Sequence, residues 1–110
     1  MSTAREQRIM NLLSMAARAR RIASGAFAAE EALKRKQGTF LLLAADASAE
    51  TKAKFTRMAA QTDVPAAEIL TMQQLGHCLG KEYRAVAVLI DRGFADRLSG
   101  HLHEIPTGVD

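Results

Sequence analysis

The run Phe40-Leu41-Leu42-Leu43-Ala44-Ala45 constrains this chain most. It is apolar at every position, so neither its odd nor its even side chains can face water. Alternation would mark a half-buried strand. An unbroken short run, bounded by Gly38 and by Asp46-Ala47-Ser48, marks a strand covered on both faces. Residues 85–90 repeat the pattern as Ala85-Val86-Ala87-Val88-Leu89-Ile90. Two doubly covered strands require helices on both sides. The expected fold is therefore α/β, a three-layer α/β/α sandwich with a small mixed sheet.

The flanking segments supply those helices. Over residues 4–20, Ile9, Leu12, Leu13, Ala16 and Ala17 recur at three- and four-residue spacing, with the arginines mostly off that stripe. Residues 20–23 read as a short strand or an extended connection. Ser24 reads as the N-cap of a second helix, with Gly25 in its first turn, and Gly38 as the residue that stops it near residue 37. Ser48 caps a third helix over 49–62, closed by Asp63-Val64-Pro65. A short strand over 66–70 follows. Thr71 and Gln74 have capping-box spacing for a fourth helix, which Gly80 closes. Asp91 ends the last strand, and a short helix over 93–98 completes the order α-β-α-β-α-β-α-β-α. One domain over 1–98 is expected, with 99–110, which lacks periodicity, as a flexible tail.

Composition narrows the function. At 110 residues and 48% hydrophobic, the chain has material for one core. Its single cysteine, Cys78, cannot form an internal disulfide, which suits a reducing cytoplasm, the expected location. No run approaches the roughly 18 apolar residues of a membrane span, and Arg5, Glu6 and Arg8 interrupt any secretory signal. Of the charges, residues 1–38 carry eight basic against three acidic groups, while the remainder carries seven against nine. Such an asymmetry fits a polyanionic partner, or else a solvated helix surface.

Catalytic candidates are few. His77 and Cys78 are neighbours on a helix, so their side chains diverge. His101 and His103 are too few to hold a metal ion. Neither Gly-x-Gly-x-x-Gly nor a phosphate-loop lysine motif occurs. No base is identifiable for Ser24 or Ser48. Asp46 is expected to start the helix after it, and Asp91 to end a strand. A binding module without catalysis, cofactor, metal or small-molecule substrate is expected. Three surfaces suit RNA: the entry to the second helix, the entry to the third helix, and the loop over 80–84. Arg20, Arg21, Lys34, Lys52, Lys81 and Arg84 would meet phosphates there. Ser24 is a further RNA-binding candidate at the helix entry, Gly25 would allow close backbone approach, and Phe27 or Tyr83 would stack on bases.

Several pieces together carry a resemblance: Ile22-Ala23-Ser24-Gly25, Ala44-Ala45-Asp46-Ala47-Ser48, Val64-Pro65, and Leu75-Gly76-His77-Cys78-Leu79-Gly80-Lys81. Over roughly residues 5–98 the chain resembles the bacterial YlxQ-type proteins of the kink-turn-binding ribosomal protein superfamily. That resemblance implies binding of structured RNA, ribosomal RNA included, with contacts just after the glycine matching Gly25. It also implies Asn or Lys at position 27, Glu or Gln at 28 and Lys at 31. Phe27, Ala28 and Glu31 stand there instead, so each expected contact is removed or inverted. The alternative is a protein-interaction module on the same fold that has lost kink-turn recognition. Such a module would be linked to transcription termination or translation, with a YlxR-type domain as a partner.

Overall fold

The computed structural model describes residues 3–103. Its elements are α1 (Ala4–Arg18), β1 (Ile22–Ser24), α2 (Ala26–Lys34), β2 (Phe40–Leu43), α3 (Ala49–Gln61), β3 (Ala66–Glu68), α4 (Met72–Cys78), β4 (Val86–Leu89) and α5 (Arg92–Leu102). The four strands form one mixed sheet in the order β1-β4-β2-β3. β4 runs antiparallel to both β1 and β2, while β2 and β3 are parallel.

β2 and β4 are buried at every position, as their unbroken apolar runs require. Successive side chains point to opposite faces. Phe40, Leu42, Ala87 and Leu89 therefore pack with Leu12, Leu13, Leu75 and Leu98 of α1, α4 and α5. Leu41, Leu43, Val86 and Val88 pack with Leu33, Phe55 and Ala59 of α2 and α3. These are the two outer layers of the expected sandwich. No polar or charged side chain is buried among the described residues.

Four helices end in the same way. In each, the second residue past the helix is left-handed, and the chain closes with a bond from the next N–H back to the last turn, the Schellman arrangement. The left-handed residues are Arg20 (φ 58°), Lys36 (φ 59°), Asp63 (φ 56°) and Gly80 (φ 74°). The closing bonds are Arg21 N–H to Ala16 C=O (2.8 Å), Gln37 to Ala32 (2.9 Å), Val64 to Ala59 (2.8 Å) and Lys81 to Gly76 (2.8 Å). Only Gly80 matches the glycine that sequence reasoning looks for.

Several expectations change at this level. α2 ends at Lys34, and Lys36, not Gly38, takes the left-handed position. Gly38 serves packing, since a Cβ there would sit 2.9 Å from Val88 Cγ1 and 3.1 Å from Leu33 Cδ2. Ser24 ends β1 and does not cap α2; Gly25 is the N-cap. The Asp46 carboxylate accepts from Met72 N–H at the start of α4 (2.8 Å), not from the helix that follows it, which Ser48 caps. Asp91 does more than end a strand, because its Oδ2 accepts from Phe94 N–H (2.9 Å) and caps α5. That helix runs on to Leu102, so residues 99–102, expected in a tail, are helical. Residues 104–110 lie outside the described residues.

A non-glycine residue in the left-handed region costs about 1–2 kcal/mol. Replacing Lys36 by glycine is therefore expected to raise stability by about 0.5–1 kcal/mol, less than the full relief because glycine also loosens the unfolded chain. Gly38→Ala is expected to lower stability by about 1–3 kcal/mol through overpacking. Urea denaturation of the two variants checks both signs.

Candidate nucleic-acid interface

β1 and β4 build the site. Ser24 pairs with Ala87, and Gly25 N–H donates to Val86 C=O (3.1 Å). That register brings the residues preceding β4 beside the turn that follows β1. Gly25 has φ 92° and ψ 165°, a region open essentially to glycine alone. The chain turns there directly into α2. Gly25 offers no side-chain acceptor to the first turn of α2, so that turn presents backbone N–H groups at the positive end of the helix.

Arg84 lies across this turn. Its Nε donates to Ser24 Oγ (2.8 Å) and its Nη1 to the Tyr83 carbonyl (3.1 Å). A Cβ on Gly25 would come within 3.3 Å of Arg84 Nε. A guanidinium beside a helix N-terminus is not a stabilising pair, because the helix end favours negative charge. The two positive features reinforce each other and make the turn a strong attractor for an anion.

Two aromatic side chains stand at this end of the molecule. Phe27 in the first turn of α2 is 82% exposed, and Tyr83 beside Arg84 is 62% exposed. Neither contributes to the core. The 81–84 loop that carries Tyr83 is held by Arg84 N–H to Met72 C=O (3.0 Å) and Lys81 N–H to Gly76 C=O (2.8 Å). Gly76, which is not among the residues expected at this surface, sets the position of that loop. A Cβ on it would meet Tyr83 N at 2.7 Å and Glu82 C and O at 2.8 Å. Its motif, Leu75-Gly76 with Gly80-Lys81, was visible in the sequence, but the loop's contact with the helix was not.

Ser24, Gly25, Phe27, Lys81, Tyr83 and Arg84 thus gather at one end of the sheet. The other candidates do not join them. Arg20 and Arg21 precede β1 and lie at its opposite end, about 13 Å away at ~3.3 Å per residue. Lys34 is in the last turn of α2 and pairs with Glu30 (2.9 Å). Lys52 turns inward, donating to Ala45 C=O (2.6 Å) and pairing with Glu68 (3.1 Å). Lys54, too, is engaged with Glu30 (2.8 Å). These two lysine bonds, Lys54 first, hold the Glu30 carboxyl down from its ordinary 4.5 to about 2.

Among the described residues, Asp46, Asp91 and His77 do not come together. Asp46 and Asp91 follow antiparallel strands and lie at opposite ends of the sheet. His77 is five residues along α4 from Met72, about 7.5 Å along the axis and 140° around it from the residue that Asp46 bonds. Burial pushes the Cys78 thiol up from its ordinary value, so it is a poor nucleophile. Among the described residues, no three His, Cys, Asp or Glu side chains converge as a metal site, and no helix is long and apolar enough to cross a membrane.

With this geometry in view, the model of the ribosomal protein L7Ae/L30e/S12e/Gadd45 family matches residues 7–98. The chain belongs to that family. Among its L7Ae-type relatives is the RNA-binding protein YlxQ of Bacillus subtilis (strain 168), 34% identical over 87 residues, 79% of this chain and 87% of the relative. The RNA-binding protein YlxQ of Enterococcus faecium is 28% identical over 97 residues, covering 88% and 93%. Of solved L7Ae-like structures, a protein of unknown function from Bacillus halodurans C superposes with a TM-score of 0.83 at 31% identity, covering 87% of this chain and 97% of that one. The Giardia lamblia 15.5kD RNA binding protein superposes with 0.75 at 19% identity, covering 92% of each, and so shares the fold. The resemblance to YlxQ-type proteins read from the motifs holds.

Gly76→Ala in this L7Ae-type chain is expected to displace the 81–84 loop from α4 and break the Arg84–Ser24 bond. Tyr83 is the one tyrosine, and the chain has no tryptophan, so intrinsic fluorescence reads that displacement directly. A second expectation concerns Glu30. Its folded pKa is depressed, so its contribution is complete above the ordinary 4.5 and is lost as pH falls towards about 2. Glu30→Gln should flatten the loss of stability between those pH values, as followed by urea midpoints.

Proposed function

We propose that this protein binds structured RNA at the β1–α2 turn and does so without catalysis. The observation that carries the reading is the Arg84 guanidinium fixed against Ser24 and Gly25 at an uncapped helix N-terminus. That arrangement suits a phosphate approaching the backbone closely. Phe27 and Tyr83 then offer faces on which unpaired bases stack, a common means of reading RNA. The relatives named as RNA-binding proteins support the same partner.

Phe27, Ala28 and Glu31 decide how the RNA is read. Phe27 and Ala28 have no side-chain hydrogen-bonding group, and Glu31 pairs with Arg35 (3.5 Å). The first two turns of α2 therefore supply little base-edge recognition. Shape, phosphate contact and stacking remain. An RNA with a sharp kink and extruded bases suits this surface, and its preference over a straight duplex rests on those unpaired bases.

One observation favours a second reading. The 82% exposure of Phe27, set between Ala26 and Ala28, would equally serve an apolar contact with a protein such as a YlxR-type domain.

A salt-titrated binding assay with a kink-turn RNA and a matched duplex separates the two readings. Arg84→Ala is expected to lower RNA affinity about tenfold, the value of one charge-assisted contact. It should also reduce the slope of log affinity against log salt by about 0.7–0.9. Phe27→Ala should cost about 1–3 kcal/mol of binding to the kinked RNA through lost stacking, and much less to the duplex. Absence of binding to either RNA at low salt would favour the protein partner.

A further inference from the structure

The end of the sheet opposite Gly25 carries charge that neither the fold nor the β1–α2 site uses. β1 and β2 begin there, and β4 ends there. Ile90 N–H donates to Arg21 C=O (2.9 Å), and Thr39 N–H to Leu89 C=O (2.7 Å). The Thr39 hydroxyl lies within hydrogen-bonding distance of the Leu89 and Asp91 carbonyls (3.0 and 3.1 Å). These bonds hold three chain corners together, and each corner bears exposed cations: Arg20 and Arg21, Arg35 and Lys36, and Arg92. Arg35 pairs with Glu31. Among the described residues, Arg20, Arg21, Lys36 and Arg92 have no carboxylate partner. Of the acids on the neighbouring elements, Asp91 bonds the first turn of α5, Asp96 lies one turn along α5 from Arg92 without an ion pair to it, and Asp63 precedes the far edge strand β3.

Arg20 and Lys36 also occupy left-handed positions where glycine carries no strain. A cation near a helix C-terminus returns less than that strain costs. The helix end does not dictate the residue either, because Asp63 fills the equivalent corner of α3 with the opposite charge. A shallow groove of about 370 Å³ lies between the two ends. It runs between α2 and the edge strand β1, walled by Ala23, Ala28, Ala32 and Ile90, with Phe27 and Arg35 also lining it.

We propose that this corner is a second phosphate-binding surface, which holds the backbone of an RNA strand leaving the β1–α2 site along that groove. The proposal rests on the RNA-binding reading above. The path along β1 is about 13 Å, the span of a short single-stranded segment of RNA. Glu31 repels phosphates from the groove wall, so the bases face the groove and the backbone is held at its exit by Arg20, Arg21 and Lys36.

The double variant R20G/K36G removes two cations and relaxes two left-handed corners, so it should be at least as stable as the parent in urea. Its binding is measured by fluorescence anisotropy with a labelled kink-turn hairpin bearing single-stranded extensions of about ten nucleotides, at about 50 and about 200 mM salt. The expected result is a loss of affinity of about tenfold or more at the lower salt, and a log–log salt slope smaller by about 1.4. Unchanged affinity and slope in the folded variant would overturn the proposal and leave the corner to an acidic protein surface. If Arg84→Ala weakens binding while R20G/K36G does not, the β1–α2 site stands and this second surface falls. If the parent binds no RNA, both readings fall.

Discussion

The hydrogen bonding of β4 to both of its neighbours places everything else. Four residues, Val86 to Leu89, are bonded along one edge to β1 and along the other to β2. Because β1 and β2 run the same way and β4 runs against them, the residue before β4 meets the residues after β1. Arg84 thereby reaches Ser24 and Gly25. By the same geometry, the residues after β4 meet those before β1 and β2, which brings Ile90 and Arg92 to Arg21 and Thr39. A slip of one residue would turn Val86 and Val88 into the wrong layer and withdraw Arg84 from Ser24 at the same time. Core packing and the cationic ends are therefore fixed by a single register.

What could be read from the sequence was local. The two doubly buried strands, the capping box at Thr71 and the cap at Ser48 each depend on residues a few positions apart, and each was legible. What could not be read depended on distant partners. Asp46 bonds Met72, 26 positions away. Ser24 is taken by Arg84, 60 positions away. Lys52 is tied to Glu68, so its charge is spent within the fold. The length of α5 belongs to the same class. Gly100 and the mixed character of its neighbours hide the helix, but Arg5 Nη2 donates to Leu102 C=O (2.8 Å) and fastens its end to α1. Left-handed corners at Arg20 and Lys36 were illegible for another reason. Neither residue type favours that conformation, and only the surrounding bonds impose it.

The candidate site divides its work between backbone and side chain. Positive charge is fixed by features that cannot drift: a glycine-only turn, a helix end and a guanidinium bonded at two points. In the proposed function, selectivity would rest on two exposed rings that are not part of the core. Changes at Phe27 or Tyr83 would then alter what is bound while sparing the fold. Changes at Gly25 or Gly76 would deform the turn or the loop that present those rings, and so affect every ligand alike.

The uncapped start of α2 has a thermodynamic consequence. α1, α3, α4 and α5 each have a side chain that receives an N–H of their first turn, whereas α2 has none. A phosphate seated at Gly25 would supply the missing acceptor. The ligand would then be the helix cap, and closing the first turn of α2 and occupying the site would be one equilibrium. Such linkage stabilises the occupied protein and leaves the opening turn of α2 the readiest part of that layer to fray whenever the site is empty.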